Sequence, residues 1–340
     1  MNIKLSICIP TYNYGEFIGQ TLDSLLPQIS AGVEVIILDG GSTDNTPEVV
    51  AVRQLSYPQL TYHYQIFRGG IDKDIEKVVS LARGQYCWLF SADDIMLPDA
   101  ISKVLEAIKS NYDIYLCEHD SCDLKAKSND LYPPPFNGIK HPRLFDLGDV
   151  TQRTEYFRLA GTSEAFFSFL AGPIFKKSVW DSAEIPESFR STCWIVAGHL
   201  LSMIPKGITV SYLRETLLSK REGNDSFSNG SMVNRHRISI ECFQHVSNSI
   251  FGEASKEAFH IRRVLQKDVP FQSLLLSKLK AAEYPEIEDI NTLNRIVKMH
   301  YADSNLKNWI HYTLYNKIPL VLLKAVYRFK KLYQKMRVVS

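Results

Sequence analysis

The sequence predicts an α/β protein: a mostly parallel sheet flanked by helices, followed by a helical C-terminal region. Three observations predict it. Short apolar, β-branched runs alternate with segments of helical spacing over the first 120 residues. Three of those runs stop at polar, turn-forming residues, the pattern of parallel strands covered on both faces by helices. After Asn224-Asp225-Ser226 the chain turns to helical segments richer in histidine and basic residues.

The first strand is expected over 4–9, ending in Pro10-Thr11-Tyr12-Asn13. Phe17, Ile18, Leu22, Leu25 and Leu26 then recur at helical spacing. Residues 33–38 are rich in Val and Ile and stop at Asp39-Gly40-Gly41-Ser42. Thr43-Asp44-Asn45 offers N-cap chemistry, and Pro47 suits a first helical turn. Residues 60–66 are the third strand candidate, and 75–82 a helix closed by Gly84, a favoured residue just past a helix end. The fourth strand, 86–90, runs into Ser91-Ala92-Asp93-Asp94. A helix over 98–110 and a strand over 114–117 follow. From 120 to 148 a long loop is expected, because Tyr132-Pro133-Pro134-Pro135-Phe136 suits neither a helix interior nor a central strand. Residues 166–175 read as strand-like and 194–204 as helix. The boundary is expected near residue 228, giving an α/β domain over 1–228 and a helical region over 229–340.

The chain has 340 residues, 45% hydrophobic and 22% charged, enough for a large core. Its 39 Lys+Arg against 37 Asp+Glu leave +2, which argues against nucleic acid as a partner. No run approaches eighteen apolar residues, so no transmembrane helix is expected. The first ten residues lack the charged head and cleavage site of a signal peptide. Six cysteines without a CxxC pair suggest reduced thiols and a cytoplasmic location. The charge is uneven: residues 290–340 hold ten Lys/Arg against one acid, Asp303, so the first 289 residues carry −7. Lys317, Lys324, Arg328, Lys331 and Lys335 fall on one helical stripe, beside Leu322, Val326, Phe329, Leu332, Tyr333 and Met336. Such a helix can lie peripherally on the anionic inner face of the cytoplasmic membrane. The alternative is a terminal helix packed on its own domain.

In open parallel sheets, ligands bind beyond the carboxyl ends of the strands. Asp93 and Asp94 stand at such an end. Adjacent carboxylates repel unless solvated or neutralised by a cation. Mg²⁺ takes one or two carboxylates plus phosphate oxygens, and would hold charge on a departing diphosphate. The competing role is a solvated turn capping the next helix. Asp39 can accept hydrogen bonds from a base or ribose, and the glycines after it allow close backbone approach, although Asp-Gly is also plain turn chemistry. Tyr12 offers a stacking face and a hydroxyl. Arg221-Glu222-Gly223-Asn224-Asp225-Ser226 reads as an exposed interdomain turn, or as a loop closing over a ligand with Arg221 facing phosphate.

Together, 8–13, 35–44, Ala82-Arg83-Gly84-Gln85-Tyr86 and Ala92-Asp93-Asp94, in that order, resemble family 2 glycosyltransferases of the GT-A fold. Arg68-Gly69-Gly70-Ile71-Asp72 sits where that family carries a glycine-containing loop near the nucleotide. Residues 86–90, 113–117 and 224–227 extend a weaker similarity to bacterial O-antigen transferases of the abequosyltransferase type. The resemblance implies that Pro10, Thr11 and Tyr12 contact the base, with Asp39 bonding to it. Gly41, Ser42, Asp72 and Asp93 would complete the nucleotide-sugar site. Asp94, with Asp93, would hold Mg²⁺ or Mn²⁺.

This sequence departs from the family pattern at three places. Gly40 replaces a second acid after Asp39, and Ser91 replaces the first acid of the longer Asp-Ala-Asp-Asp form. Inverting members place a catalytic Asp or Glu ahead of a helix in the second half, and residues 189–199 here contain no carboxylate. His199, Glu118 and Asp120 are the candidate bases. The implied activity is transfer of a sugar from a nucleotide-diphosphate donor to a lipid-linked saccharide acceptor in surface polysaccharide biosynthesis. A sugar-nucleotide nucleotidyltransferase would need a glycine-rich basic loop at 10–13, which is missing. A nucleotide-sugar-binding protein with a degenerate site is the non-enzymatic alternative.

Overall fold

The computed structural model describes residues 3–224 and 230–327. It divides into two compact units, residues 1–224 with 246–261 and residues 225–245 with 262–340. The boundary expected at 228 lies outside the described residues.

In the first unit, β1 (Leu5–Thr11), α1 (Ile18–Leu25), β2 (Val33–Asp39), α2 (Thr46–Gln54), β3 (Leu60–Tyr64), α3 (Ile71–Leu81) and β4 (Tyr86–Leu89) alternate as the spacing predicts. Then come β5 (Ile95–Met96), α4 (Ala100–Ala107), β6 (Ile114–Cys122), β7 (Ser128–Leu131), β8 (Arg143–Asp146) and α5 (Val150–Leu159). β9 (Pro173–Lys176), α6 (Lys177–Asp181), α7 (Ile195–Ser202) and β10 (Thr209–Arg221) complete the sheet and its cover. The strand order is β3-β2-β1-β4-β9-β6-β10-β5, with β7 beside β6 and β8 beside β10. β1 to β4 run parallel, as do β6 and β10. β9 lies antiparallel between β4 and β6, so β6 points the same way as β4. Every residue of β1, β2 and β4 is buried, which explains why they read as continuous apolar runs and not as alternation. Ile18, Leu22, Leu25, Ile101 and Val104 from α1 and α4 meet Ile7, Ile9, Trp88 and Phe90 in one core.

Four expectations change. The stretch 166–175 is strand only from Pro173: Ser163–Phe166 is a 3-10 turn and Phe167 is left-handed, with φ 61°. The expected long loop holds the end of β6 with β7 and β8, leaving 132–142 irregular around the prolines. β10 was not legible, because Arg214, with φ 58°, and a register shift against β6 break its alternation. Gly84 is not a left-handed helix cap. A Cβ there would stand 2.7 Å from the Ser6 nitrogen, so the residue is fixed by close approach to β1.

In the second unit, α8 (Met232–His236) passes through a π-helical turn, Arg237–Cys242, into α9 (Phe243–Phe251), within which the division falls. It also falls within α10 (Lys256–Asp268). α11 (Phe271–Glu283), α12 (Ile290–His300) and α13 (Leu306–Lys317) follow, and 320–327 are helical. Val233, Ile240, Leu274, Leu293, Ile296, Val297 and Tyr315 form this unit's core.

Candidate active site

The carboxyl ends of β1, β2 and β4 lie on one edge of the sheet, since the three strands are parallel neighbours. Pro10 to Asn13, Asp39 to Ser42, and Asp93-Asp94 therefore gather there, as expected. Within this edge the roles divide.

Asp39 is fully buried and holds the turn that follows it. Its Oδ1 accepts from the backbone N–H groups of Gly41 (3.0 Å) and Ser42 (2.6 Å), and Oδ2 from the Tyr62 hydroxyl (2.6 Å). Burial and this carboxylate push the Tyr62 hydroxyl's pKa up. Asp39 thus accepts three hydrogen bonds within the protein, two of them from the turn that follows it. Gly41 has φ 89°, and a Cβ would come 3.0 Å from the Gln65 carbonyl, so the turn requires glycine. Ser42 Oγ accepts from the Asn13 N–H at 2.8 Å, joining the ends of β1 and β2. Pro10 and Thr11 are buried, and Thr11 Oγ1 has no hydrogen-bond partner. The Arg68 guanidinium lies 4.0 Å over the Tyr12 ring. Asp72 does not face this edge openly. It is buried and accepts from the N–H groups of Cys193 (2.9 Å) and Ile195 (3.3 Å), capping α7. Burial raises its pKa.

Asp93 and Asp94 do not cap the next helix: α4 starts at Ala100 after a left-handed Asp99 without a side-chain cap. Asp94 is 2% exposed. Its Oδ1 accepts from the Arg221 N–H at 3.0 Å, while its Oδ2 is buried with no hydrogen-bond partner. Burial, then the neighbouring Asp93, raises its pKa to about 7. Asp93 is also raised, chiefly by burial, and accepts from the Asn224 amide. An orphaned buried carboxylate oxygen beside a second carboxylate is the donor set a hard divalent cation takes. Among the described residues no group of three or more His, Cys, Asp or Glu could hold a metal, so remaining ligands would come from phosphate and water.

Arg221, read as an exposed turn or a phosphate contact, is neither. At 3% exposure it ends β10 and clamps the acidic loop. Its Nε donates to the Asp93 carbonyl (2.8 Å), Nη2 to Gln20 Oε1 (2.8 Å), and its guanidinium lies 5.1 Å over Phe17.

The candidate bases separate. His199 is buried, its ring stacked on Trp180 at 3.7 Å, with Nδ1 3.3 Å from the Trp180 carbonyl and Nε2 3.2 Å from Glu76. Burial lowers its pKa, with Glu76 opposing. Trp180 follows β9, whose last residue pairs with the first of β4, so this cluster belongs to the far end of the strands. His199 is a packing residue, not a base at this edge. Glu118 is paired with Arg214 and the Tyr212 hydroxyl, and Asp120 accepts from Ser219. Both lie in the last residues of β6 at the correct edge, with Glu118 held through both oxygens and Asp120 through Oδ1 alone.

Residues 6–170 match Glycosyl transferase family 2. Over 89% of its length the chain is 28% identical to the abequosyltransferase of Salmonella typhimurium, covering 96% of that protein. The chain carries a glycosyl transferase family 2 domain over residues 6–170. This glycosyltransferase has the fold of S. aureus TarS, solved with UDP-GlcNAc (TM-score 0.62, 17% identity, 88% of this chain and 83% of that one). It is also similar to a Pyrobaculum calidifontis mannosyltransferase solved with GDP-Man and Mn²⁺ (TM-score 0.52, 13% identity, 96% of this chain and 87% of that one). In this chain, sequence reasoning missed His119 and Glu164. His119 Nε2 lies 2.8 Å from Glu164 Oε1, and its ring lies 4.4 Å from both Tyr132 and Phe169. An unbroken strand to residue 122 was the signal that would have placed His119 at the edge.

Proposed function

We propose that this glycosyltransferase moves a hexosyl or deoxyhexosyl group from a nucleoside diphosphate donor to a lipid-linked saccharide, in O-antigen or capsule-like polysaccharide synthesis. The observation that carries the donor half is the unpartnered, buried Asp94 Oδ2 beside Asp93. Those carboxylates would hold Mg²⁺ or Mn²⁺, which when bound supplies positive charge against the departing diphosphate. Tyr12 and Arg68 would take the base, Thr11 Oγ1 a polar group of the nucleotide, and the Gly41-Ser42 turn the approach of the ribose. Asp39 and Asp72 would act through the backbone they hold. The similarity to an abequosyltransferase along nearly its whole length favours a deoxyhexose donor and a polysaccharide acceptor. Structural neighbours solved with UDP-GlcNAc and with GDP-Man and Mn²⁺ favour a nucleotide sugar.

A peripheral membrane location fits the second unit. Leu306 (71% exposed), Trp309 (64%) and Val321 (80%) stand bare on α13 and 320–327, near Lys307, Lys317 and Lys324. Arg328, Lys331 and Lys335 of the basic stripe, with Phe329, Leu332, Tyr333 and Met336, lie outside the described residues. No helix among the described residues is long and apolar enough to cross a membrane. Liposome flotation tests it: the chain binds vesicles containing phosphatidylglycerol and leaves them at high salt; equal recovery without vesicles refutes it.

A thermal-shift screen of UDP, GDP, CDP and dTDP with Mg²⁺ or Mn²⁺ tests the donor half. One nucleotide raises the melting temperature only with metal, and Asp94→Ala removes that part. No shift with any pair refutes it.

A further inference from the structure

We propose that Glu164 is the catalytic base for the acceptor hydroxyl and that His119 positions it, an inference that rests on the glycosyltransferase reading above. The need arises from the sequence: residues 189–199 hold no carboxylate. The structure places His199 at the far end of the strands and holds both oxygens of Glu118 with Arg214 and Tyr212. Asp120 is bonded to Ser219 through Oδ1 alone, and Glu164 is the acid at this edge that is bonded to a histidine.

Glu164 is at the right edge. The segment after its 3-10 turn leads into β9, and Ile174 of β9 pairs with Trp88 near the end of β4. Glu164 therefore precedes β9 on the side where β4 runs into Asp93-Asp94. His119 comes to the same edge on β6, one residue before Asp120, which pairs with Ser219 two residues from Arg221. His119 and Lys220 are close enough to Asp94 to act on its charge.

The pair has the geometry of an oriented base. His119 Nδ1 is 2.9 Å from the Asp120 carbonyl, which only accepts, so that nitrogen carries a hydrogen. The imidazole is thereby fixed, and Tyr132 and Phe169 hold its faces. With Nδ1 carrying its hydrogen, Nε2 can donate to the ionised Glu164 Oε1 only as an imidazolium, so the pair that leaves Glu164 able to take a proton is an imidazolium–carboxylate contact. Among the described residues, Glu164 Oε2 has no hydrogen-bond partner, and it is not one of the fully buried unpartnered atoms. One oxygen is held and the other has no hydrogen-bond partner, although the side chain is only 8% exposed; Tyr132 and Phe169 flank the His119 ring and are partly exposed, with the Lys220 ammonium 5.4 and 5.6 Å over their rings. Aromatic faces and a cation suit a hydroxylated sugar.

In the step, the acceptor O–H proton passes to Glu164 Oε2 as the acceptor oxygen bonds the anomeric carbon. The bond from that carbon to the diphosphate oxygen breaks, and its electron pair leaves on the nucleoside diphosphate. Charged and titratable groups facing the pair are Lys220, Cys117, Glu118, Asp120 and Asp94.

The test uses the full chain, whichever of UDP-, GDP-, CDP- and dTDP-sugars it turns over, and a lipid-linked saccharide extract, with nucleoside diphosphate release as readout. Glu164→Gln lowers kcat at least about 100-fold, leaving donor KM and nucleoside diphosphate–Mn²⁺ binding within twofold. His119→Asn lowers kcat about 10-fold and displaces the acid limb of the kcat–pH profile, which a merely structural residue would not do. Glu164→Gln within threefold of the parent overturns the proposal. If that variant does not fold, an unmoved profile in His119→Asn overturns it. Absence of turnover by the parent on every donor counts against the glycosyltransferase reading itself, which nucleotide binding with Mn²⁺ then judges separately.

Discussion

Replacing Asp94 by Asn is expected to stabilise the metal-free protein while disabling it. The folded carboxyl holds its proton to about 7, against an ordinary value of 3.8, because it is buried and faces Asp93. In the unfolded chain the proton leaves near pH 4. Asp94 is therefore neutral and harmless in the folded state below about pH 4. Stability falls as pH rises from about 4 to 7 and does not return above. The displacement is equivalent to about 4 kcal/mol at pH 8, an upper bound for a carboxyl beside a second one. Asn keeps an oxygen to accept the Arg221 N–H, but sets an unpaired amide where Oδ2 stood, costing about 1–3 kcal/mol. The remainder is a gain of about 1–3 kcal/mol, or several degrees of melting temperature for a unit of this size. Differential scanning fluorimetry in EDTA from pH 5 to 8 measures it. The two proteins should converge at pH 5 and separate at pH 8, with Asp94→Asn higher. Adding Mn²⁺ and the nucleoside diphosphate should lift only the parent. An Asp94→Asn melting point at or below the parent's in EDTA at pH 8 would refute the reasoning.

Arg221→Met removes the donors that hold the Asp93 carbonyl and Gln20, so it should destabilise by about 3 kcal/mol and weaken Mn²⁺-dependent nucleotide binding; urea unfolding and calorimetry check both. Tyr62→Phe leaves buried Asp39 Oδ2 unpaired and should cost about 1–3 kcal/mol by urea unfolding, with nucleotide affinity falling as the turn loosens. His199→Gln should lower the melting temperature through the lost Trp180 stack while kcat stays within twofold, since the ring is remote from the acidic loop. In the second unit, burial lowers His236 and His300 to about 4, so the unfolded chain takes up protons first as pH falls below 6.5. Each should forfeit about 2 kcal/mol by pH 5, lost as pH falls from 6.5 towards 4; an unchanged urea midpoint for this unit between pH 7.5 and 5 would count against it.

What the sequence made legible follows from the range of the forces involved. β1, β2 and β4 are buried on both faces, so each announces itself in a few consecutive residues, and their parallel order carries three loops to one edge. Asp39, Tyr12 and Asp94 could thus be grouped without coordinates. Which of them offers a free atom could not. Asp39 is engaged by Tyr62, 23 residues away, Asp72 by a helix start more than 120 residues away, and Asp94 through one oxygen by Arg221, 127 residues away. Local pattern reports where a side chain sits on its own element. Partners from distant segments decide whether it is structural or open.

That distinction decides which group can act as a base. Counting carboxylates in the helix where the family places its base returns none, and the nearest titratable side chain there, His199, stacks on Trp180 at the wrong end of the strands. An acid on the correct edge that keeps an oxygen without a partner is Glu164 or Asp120, since Glu118 is held through both oxygens, and of the two Glu164 is the one bonded to a histidine. The same criterion selects Asp94 Oδ2 for the cation. Folding leaves few buried polar atoms unsatisfied because each costs about 1–3 kcal/mol. A buried oxygen left unpartnered at a strand-end edge, as Asp94 Oδ2 is, is therefore where a ligand contact recovers that cost.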